Sequence, residues 1–276
     1  IVFKYIPMYG LQIAFRRFNP TLGITKIPWV GLTYFKQFFQ SYYFKDVLVN
    51  TLSLSVFTML VGFPVPIFLA LLINEIKSTK LKKAVQNITY MPNFLSIVVI
   101  VSMLSLFSNK EYGLFNQITA FFGAKPVDFM SRPSAFQPLY VFSNVWQNMG
   151  FNAIIYIAAL SAIDPQLYEA ASIDGATRMQ KIIHISIPCI MGTILILFIM
   201  RIGNLMSVGF EKVLLMQRDV TISSSEVIST FIYKNGIQKG QFSYSTAVGM
   251  FNSIINFALL AGANFISKKT TKTSLW

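Results

Sequence analysis

The run VLVNTLSLSVFTMLVGFPVPIFLALLI, residues 47–73, holds no ionisable side chain from end to end. A helix rises 1.5 Å per residue, and about 20 apolar residues cross the roughly 30 Å hydrocarbon core of a bilayer. The run is therefore long enough to span. Pro64 and Pro66 lie inside it, so a kink or local unwinding is expected near Gly62. Four more apolar blocks follow, at residues 85–107, 136–162, 186–210 and 243–266. In lipid each backbone amide must be satisfied within its own segment, which favours helices, and the alternation of barrel strands is missing here. Residues 1–15 are apolar around Lys4, with no Met start or charged segment before them. They read as the remainder of a truncated first span and not as a signal peptide. The expected fold is all-α integral membrane, with about six transmembrane helices in a single domain over residues 1–276.

Composition agrees. Of 276 residues, 54% are hydrophobic and only 12% charged, about half the charged share of a soluble domain. The net charge of +13 could suggest nucleic acid, but the Lys and Arg residues sit in short segments between apolar blocks and not on one face. Nucleic acid is therefore not expected as a partner. One cysteine, Cys189, excludes an internal disulfide framework, and one histidine, His184, leaves no His/Cys metal cluster. Cys189 reads as a small core residue.

Basic residues near span ends set the orientation. Lys77, Lys80, Lys82 and Lys83 face only Glu75, and the tail adds Lys268, Lys269 and Lys272. Both segments read as cytoplasmic, which places residues 164–185 inside and residues 16–46, 108–135 and 211–242 outside. The outer segments also carry many basic residues, at lower density. Trp29, Tyr34, Phe35, Phe38, Phe39, Tyr42, Tyr43 and Phe44 crowd the first of them. They read as an interfacial aromatic belt or as a docking surface for an outside partner.

The longest informative polar stretch is residues 164–188, DPQLYEAASIDGATRMQKIIHISIP. Asp164 can cap a helix, Pro165 suits its first position, and Gly175 can end it in the left-handed conformation. A second amphipathic piece, residues 179–185, leads to Pro188. This is a helix–turn–helix at the membrane surface with Glu169 and Arg178 exposed, suited to coupling with a soluble partner or simply to joining two spans.

The order Glu169-Ala170-Ala171, Asp174-Gly175-Ala176 and Ile185-Ser186-Ile187-Pro188 resembles the EAA loop of binding-protein-dependent ABC importers. The chain as a whole is similar to maltose-type carbohydrate permeases, nearest the branch handling complex oligosaccharides and polysaccharide fragments. Phe3-Lys4-Tyr5-Ile6-Pro7-Met8-Tyr9-Gly10 and Gly209-Phe210-Glu211-Lys212-Val213 resemble that branch too. The resemblance implies a multi-pass protein of the bacterial plasma membrane that moves an oligosaccharide by alternating access. It implies a second homologous permease subunit, two ATPase subunits and an extracellular solute-binding protein as partners. The loop would be the cytoplasmic coupling helix, with Glu169 pairing to a basic residue of an ATPase. The chain has no phosphate-binding Gly-rich loop, so no cofactor is expected on it, and ATP and Mg belong to the partner ATPases. It reads as a transport subunit and not as an enzyme.

Polar residues within spans mark wet paths or interhelical contacts. Asn144, Asn148 and Asn152 repeat at i, i+4 and i+8 along one helical stripe, with Trp146, Phe151 and Tyr156 nearby. Amides and rings are the chemistry that binds sugar hydroxyls and sugar faces. Alignment from the loop matches Asn144, Asn148, Phe151, Arg201, Leu205 and Val208 to sugar-contact positions of the maltose-type family. Arg201 departs from the small polar residue found there, which argues against maltose and for an acidic sugar, unless the side chain snorkels to the interface. Ser245, Gly249, Asn252 and Asn256 form a further stripe that reads as close packing. The alternatives are a permease for another solute, a membrane-embedded glycosyltransferase and a free-standing channel. The ten acidic residues are scattered, as an enzyme centre would not have them.

Overall fold

The computed structural model describes residues 5–19, 21–22 and 26–271. Residues Ile1 to Lys4, and Lys272 of the basic tail, lie outside the described residues. The described part is helical, and its extended pairing is the isolated bridge Arg16–Trp29.

Three helices are long and apolar enough to cross a membrane: Phe44–Asn74, Arg178–Gly203 and Phe242–Lys269. In the first, the helix Phe44–Gly62 gives way to Pro64–Asn74 at Phe63, whose backbone stays helical and whose N–H still bonds to Met59 at 3.0 Å, so the expected unwinding is absent and the interruption is the donors that Pro64 and Pro66 lack. A fourth long helix, Pro133–Ser161, has 29 residues and carries Gln137, Asn144, Gln147, Asn148 and Asn152 among its apolar side chains. The apolar segment at the start of the chain appears as the short helices Ile6–Tyr9 and Gly10–Phe15.

The expected span at residues 85–107 is corrected. It is two pieces, Thr79–Phe94 and Ile97–Phe107, bent by 97°. Pro92 removes a donor inside the run, the tight turn Met91–Phe94 forms around it, and Leu95 turns extended. A break in an apolar setting must have its polar groups met. Gln147 Nε2 donates to the Leu95 carbonyl at 3.3 Å, and Asn93 Nδ2 donates to Asn148 Oδ1 at 3.1 Å.

The span at residues 186–210 is shifted. It starts at Arg178, passes through a π turn at Ile182–Ser186, and ends at Gly203. The amphipathic piece at residues 179–185 is thus the first turns of the span and not a separate helix. Pro188 is absorbed because the Ile187 N–H reaches back five residues to Ile182, a widened turn that spares the proline a clash with the preceding carbonyls. Cys189 is exposed on this helix and is not a core residue.

The chain divides into two compact units. One comprises Ile1–Ser55, Val101–Gln137 and Asn204–Leu259. Its core gathers Phe38, Val47, Met206, Ile228, Phe231, Tyr244 and Val248. Phe38 is 1% exposed and packs edge-on to Phe44, Tyr244 and Phe251, so it belongs neither to a belt nor to a docking face. Asn256 spends its amide on the Met206 N–H and the Ser207 hydroxyl, in keeping with the packing role expected of its stripe.

The other unit comprises Val56–Ile100, Pro138–Gly203 and Leu260–Trp276. Its core is Ala70, Leu71, Ala153, Tyr156, Leu160 and Ile190. Gly150 lets two helices touch backbone to backbone: a Cβ there would sit 2.1 Å from the Thr89 carbonyl oxygen. The polar loop and the asparagine stripe both belong to this unit.

Candidate coupling loop and transport path

The loop folds from local chemistry. Asp164 accepts the Gln166 N–H at 2.9 Å, and Pro165 opens the helix Pro165–Ile173. At its far end Gly175 takes φ +76°, its N–H bonds to the Ser172 carbonyl, and the Ala176 N–H bonds to Ala171 at 2.9 Å. That 5→2 and 6→1 pair is the Schellman cap that satisfies the last carbonyls of a helix. Thr177 and Gln180 then form a capping box that starts the long span at once. The result is a stiff reversal with no slack residue.

Glu169, Ala170, Asp174 and Gly175 are exposed, while Ala171 and Ala176 are half-buried. Among the described residues Glu169 makes no ion pair, so its carboxylate is free for a partner. Ala170 beside it keeps the exposed face low, which lets another surface approach the helix backbone.

The asparagine stripe divides in two. Asn148 Nδ2 donates to the Asn144 carbonyl and side-chain oxygens at 2.8 and 2.6 Å, and its Oδ1 accepts from Asn93. This part of the stripe ties the bend at residues 91–96 to its neighbour. Asn152 is instead exposed and lines a cleft of about 130 Å³ with Tyr156, Arg201, Leu197, Ile155 and the broken segment Gly62, Phe63 and Pro66. Arg201 is in the last turn of its helix, where a cation is favoured by the helix dipole. Its side chain is exposed and, among the described residues, forms no ion pair. Phe151 is 48% exposed. Leu205 and Val208 lie beyond the end of that helix, at Gly203, and belong to the other unit.

Gly62, Phe63 and Pro66 were not expected at the cleft. Pro64 and Pro66 are the signal for them, because each proline leaves a carbonyl one turn earlier without its usual N–H. In the other unit, Tyr42 and Tyr43 border a groove of about 1190 Å³ with Lys36, Gln40 and the ion pair between Lys234 and Glu226 at 2.6 Å.

Residues 43–272 match the family model described as binding-protein-dependent transport system inner membrane component. The chain belongs to that family. The permease is accordingly a multi-pass inner-membrane subunit of an importer, a transport component that works with a partner permease, ATPases and a binding protein. It is 42% identical over 98% of its length, and 84% of the other chain, to the polygalacturonan/rhamnogalacturonan transport system permease protein YteP of Bacillus subtilis (strain 168). Its fold matches a crystal structure of a bacterial ABC transporter involved in the import of the acidic polysaccharide alginate. That match has a TM-score of 0.90 and 41% identity over 98% of the permease and 91% of that chain. A second structure, of a bacterial alginate ABC transporter in complex with alginate pentasaccharide-bound periplasmic protein, matches with a TM-score of 0.91 and 40% identity, covering 99% and 91% of the two chains.

Proposed function

We propose that the permease imports acidic oligosaccharides, with Arg201 reading a uronate carboxylate in the cleft it shares with Asn152 and Tyr156. The observation that carries this is a guanidinium with no acidic partner among the described residues, inside a cleft otherwise built from amide, phenol and apolar side chains. A neutral sugar would need no such cation, whereas a carboxylate can take a charge-assisted, two-pronged bond from a guanidinium. The substrates named for the relatives, polygalacturonan/rhamnogalacturonan and alginate, include acidic sugars and support the reading.

The loop 164–188 couples transport to nucleotide. Glu169 and the alanine face dock on an ATPase, where ATP and Mg are held. Nucleotide binding pulls the ATPases together, and the stiff reversal hands that displacement to the span Arg178–Gly203. ATP drives the change only because it binds one conformation better than the other. On the outside, exposed Tyr42 and Tyr43 offer the binding protein a docking edge.

Uptake by an Arg201→Gln variant in reconstituted vesicles tests the substrate. Acidic oligosaccharide uptake should fall at least tenfold, the range expected for a lost charge-assisted pair, while a neutral oligosaccharide of equal length is unaffected. Equal loss of both would discard the acidic reading.

A further inference from the structure

The coupling helix is tied to the following span by more than the chain. Tyr168, half-buried on the helix Pro165–Ile173, holds its hydroxyl 2.9 Å from Ser186 Oγ, across 18 residues of sequence. Ser186 is 1% exposed, so the bond is shielded from water at one end. A second clasp lies outside it: Lys181 Nζ donates to Ser172 Oγ at 2.6 Å, and Ser172 Oγ donates to the Tyr168 carbonyl at 2.6 Å. Ser186 closes the π turn Ile182–Ser186, whose wide register leaves this part of the helix less firmly bonded than an α turn. A push on the loop would be absorbed there if nothing bridged it.

We propose that Tyr168 and Ser186 are a positioning pair that makes the coupling helix and the span Ile187–Gly203 move as one body, by closing across the compliant π turn. The inference rests on the coupling role given above to the loop. It adds a distinct element: Glu169 meets the ATPase, whereas the pair acts inside the permease and touches neither nucleotide nor sugar.

The test uses the whole importer in proteoliposomes, with both permeases, both ATPases and added binding protein. Tyr168→Phe deletes the bond at nearly constant volume, and Ser186→Val deletes it while adding one methyl group, a size change that a threonine at the same position controls. Both should leave ATPase recovery unchanged and ATP hydrolysis without binding protein within about twofold. Oligosaccharide moved per ATP hydrolysed should fall about fivefold, the factor one hydrogen bond supports. Ser186→Thr matches valine in size but keeps a hydroxyl, and should retain the wild-type ratio. The double variant should lose no more than either single one. An unchanged ratio in both single variants, or equal loss in the Thr and Val variants, overturns the pair. So does a drop in ATPase recovery that parallels transport, since the bond would then serve docking. If Glu169→Lys leaves ATPase recovery intact, the coupling reading itself fails, a result separable from the behaviour of residues 168 and 186.

Discussion

Lys212 illustrates how one side chain sets a pH response. It lies in the helix Phe210–Met216, between spans, and is 4% exposed. Burial lowers its pKa from 10.5 to about 8. Below pH 8 the folded and unfolded chains both hold the proton, and the cost of the buried charge is fully felt. Between about 8 and 10.5 the unfolded chain holds more protons, so stability rises with pH. The melting temperature of the purified permease should thus climb over that interval, and Lys212→Met should lose this part of the climb. Identical pH profiles for the two proteins would refute it. Nothing in the sequence marks Lys212 as buried, because burial there comes from packing of distant segments. Asp164 and Gly175 were readable, since capping and left-handed turns depend on residues within one helical turn.

Among elements, the contact between the helices Thr79–Tyr90 and Pro133–Ser161 is set by Gly150. An added methyl would meet backbone, which cannot rotate away, so Gly150→Ala should cost about 1–3 kcal/mol. Gly192 has nothing within 4 Å of its position, and Gly192→Ala should leave stability unchanged or slightly improved. Thermal melts of the two variants in one detergent check the difference; equal shifts would show that the helices can part freely. Elements separate what sequence can and cannot say. The spans were visible as apolar blocks because length and composition are all a bilayer demands. The 97° bend was hidden: Pro92 warns of a break, but its angle depends on Asn93 and Gln147 finding partners 55 and 52 residues away, respectively. Likewise Pro188 read as a boundary, and only the Ile187-to-Ile182 bond shows how the helix continues through it.

For the whole molecule, function depends on partners the chain does not contain, so the decisive prediction concerns assembly. Glu169→Lys reverses the charge on an exposed loop face without touching the cap at Asp164 or the turn at Gly175. Co-purification with the ATPases should fall more than tenfold, and sugar-stimulated hydrolysis should vanish, while the permease itself folds and inserts. Full recovery of ATPases would refute the docking role. The seven residues expected along a transport path do not share one surface. Asn152 and Arg201 line one cleft, whereas Asn144 and Asn148 serve the bend, and periodicity cannot tell a wet asparagine from a bonded one.

The five-residue reach of the Ile187 amide carries a consequence for length. Removing one residue from 182–185 would draw the Ile187 N–H back to an ordinary four-residue reach and leave the facing of the flanking turns nearly unchanged, but it would return the Pro188 ring to the carbonyls that the widened turn spares it. It would also shorten the stretch that the Tyr168–Ser186 bond closes, so the length of this segment and the hydroxyl at its end are set together.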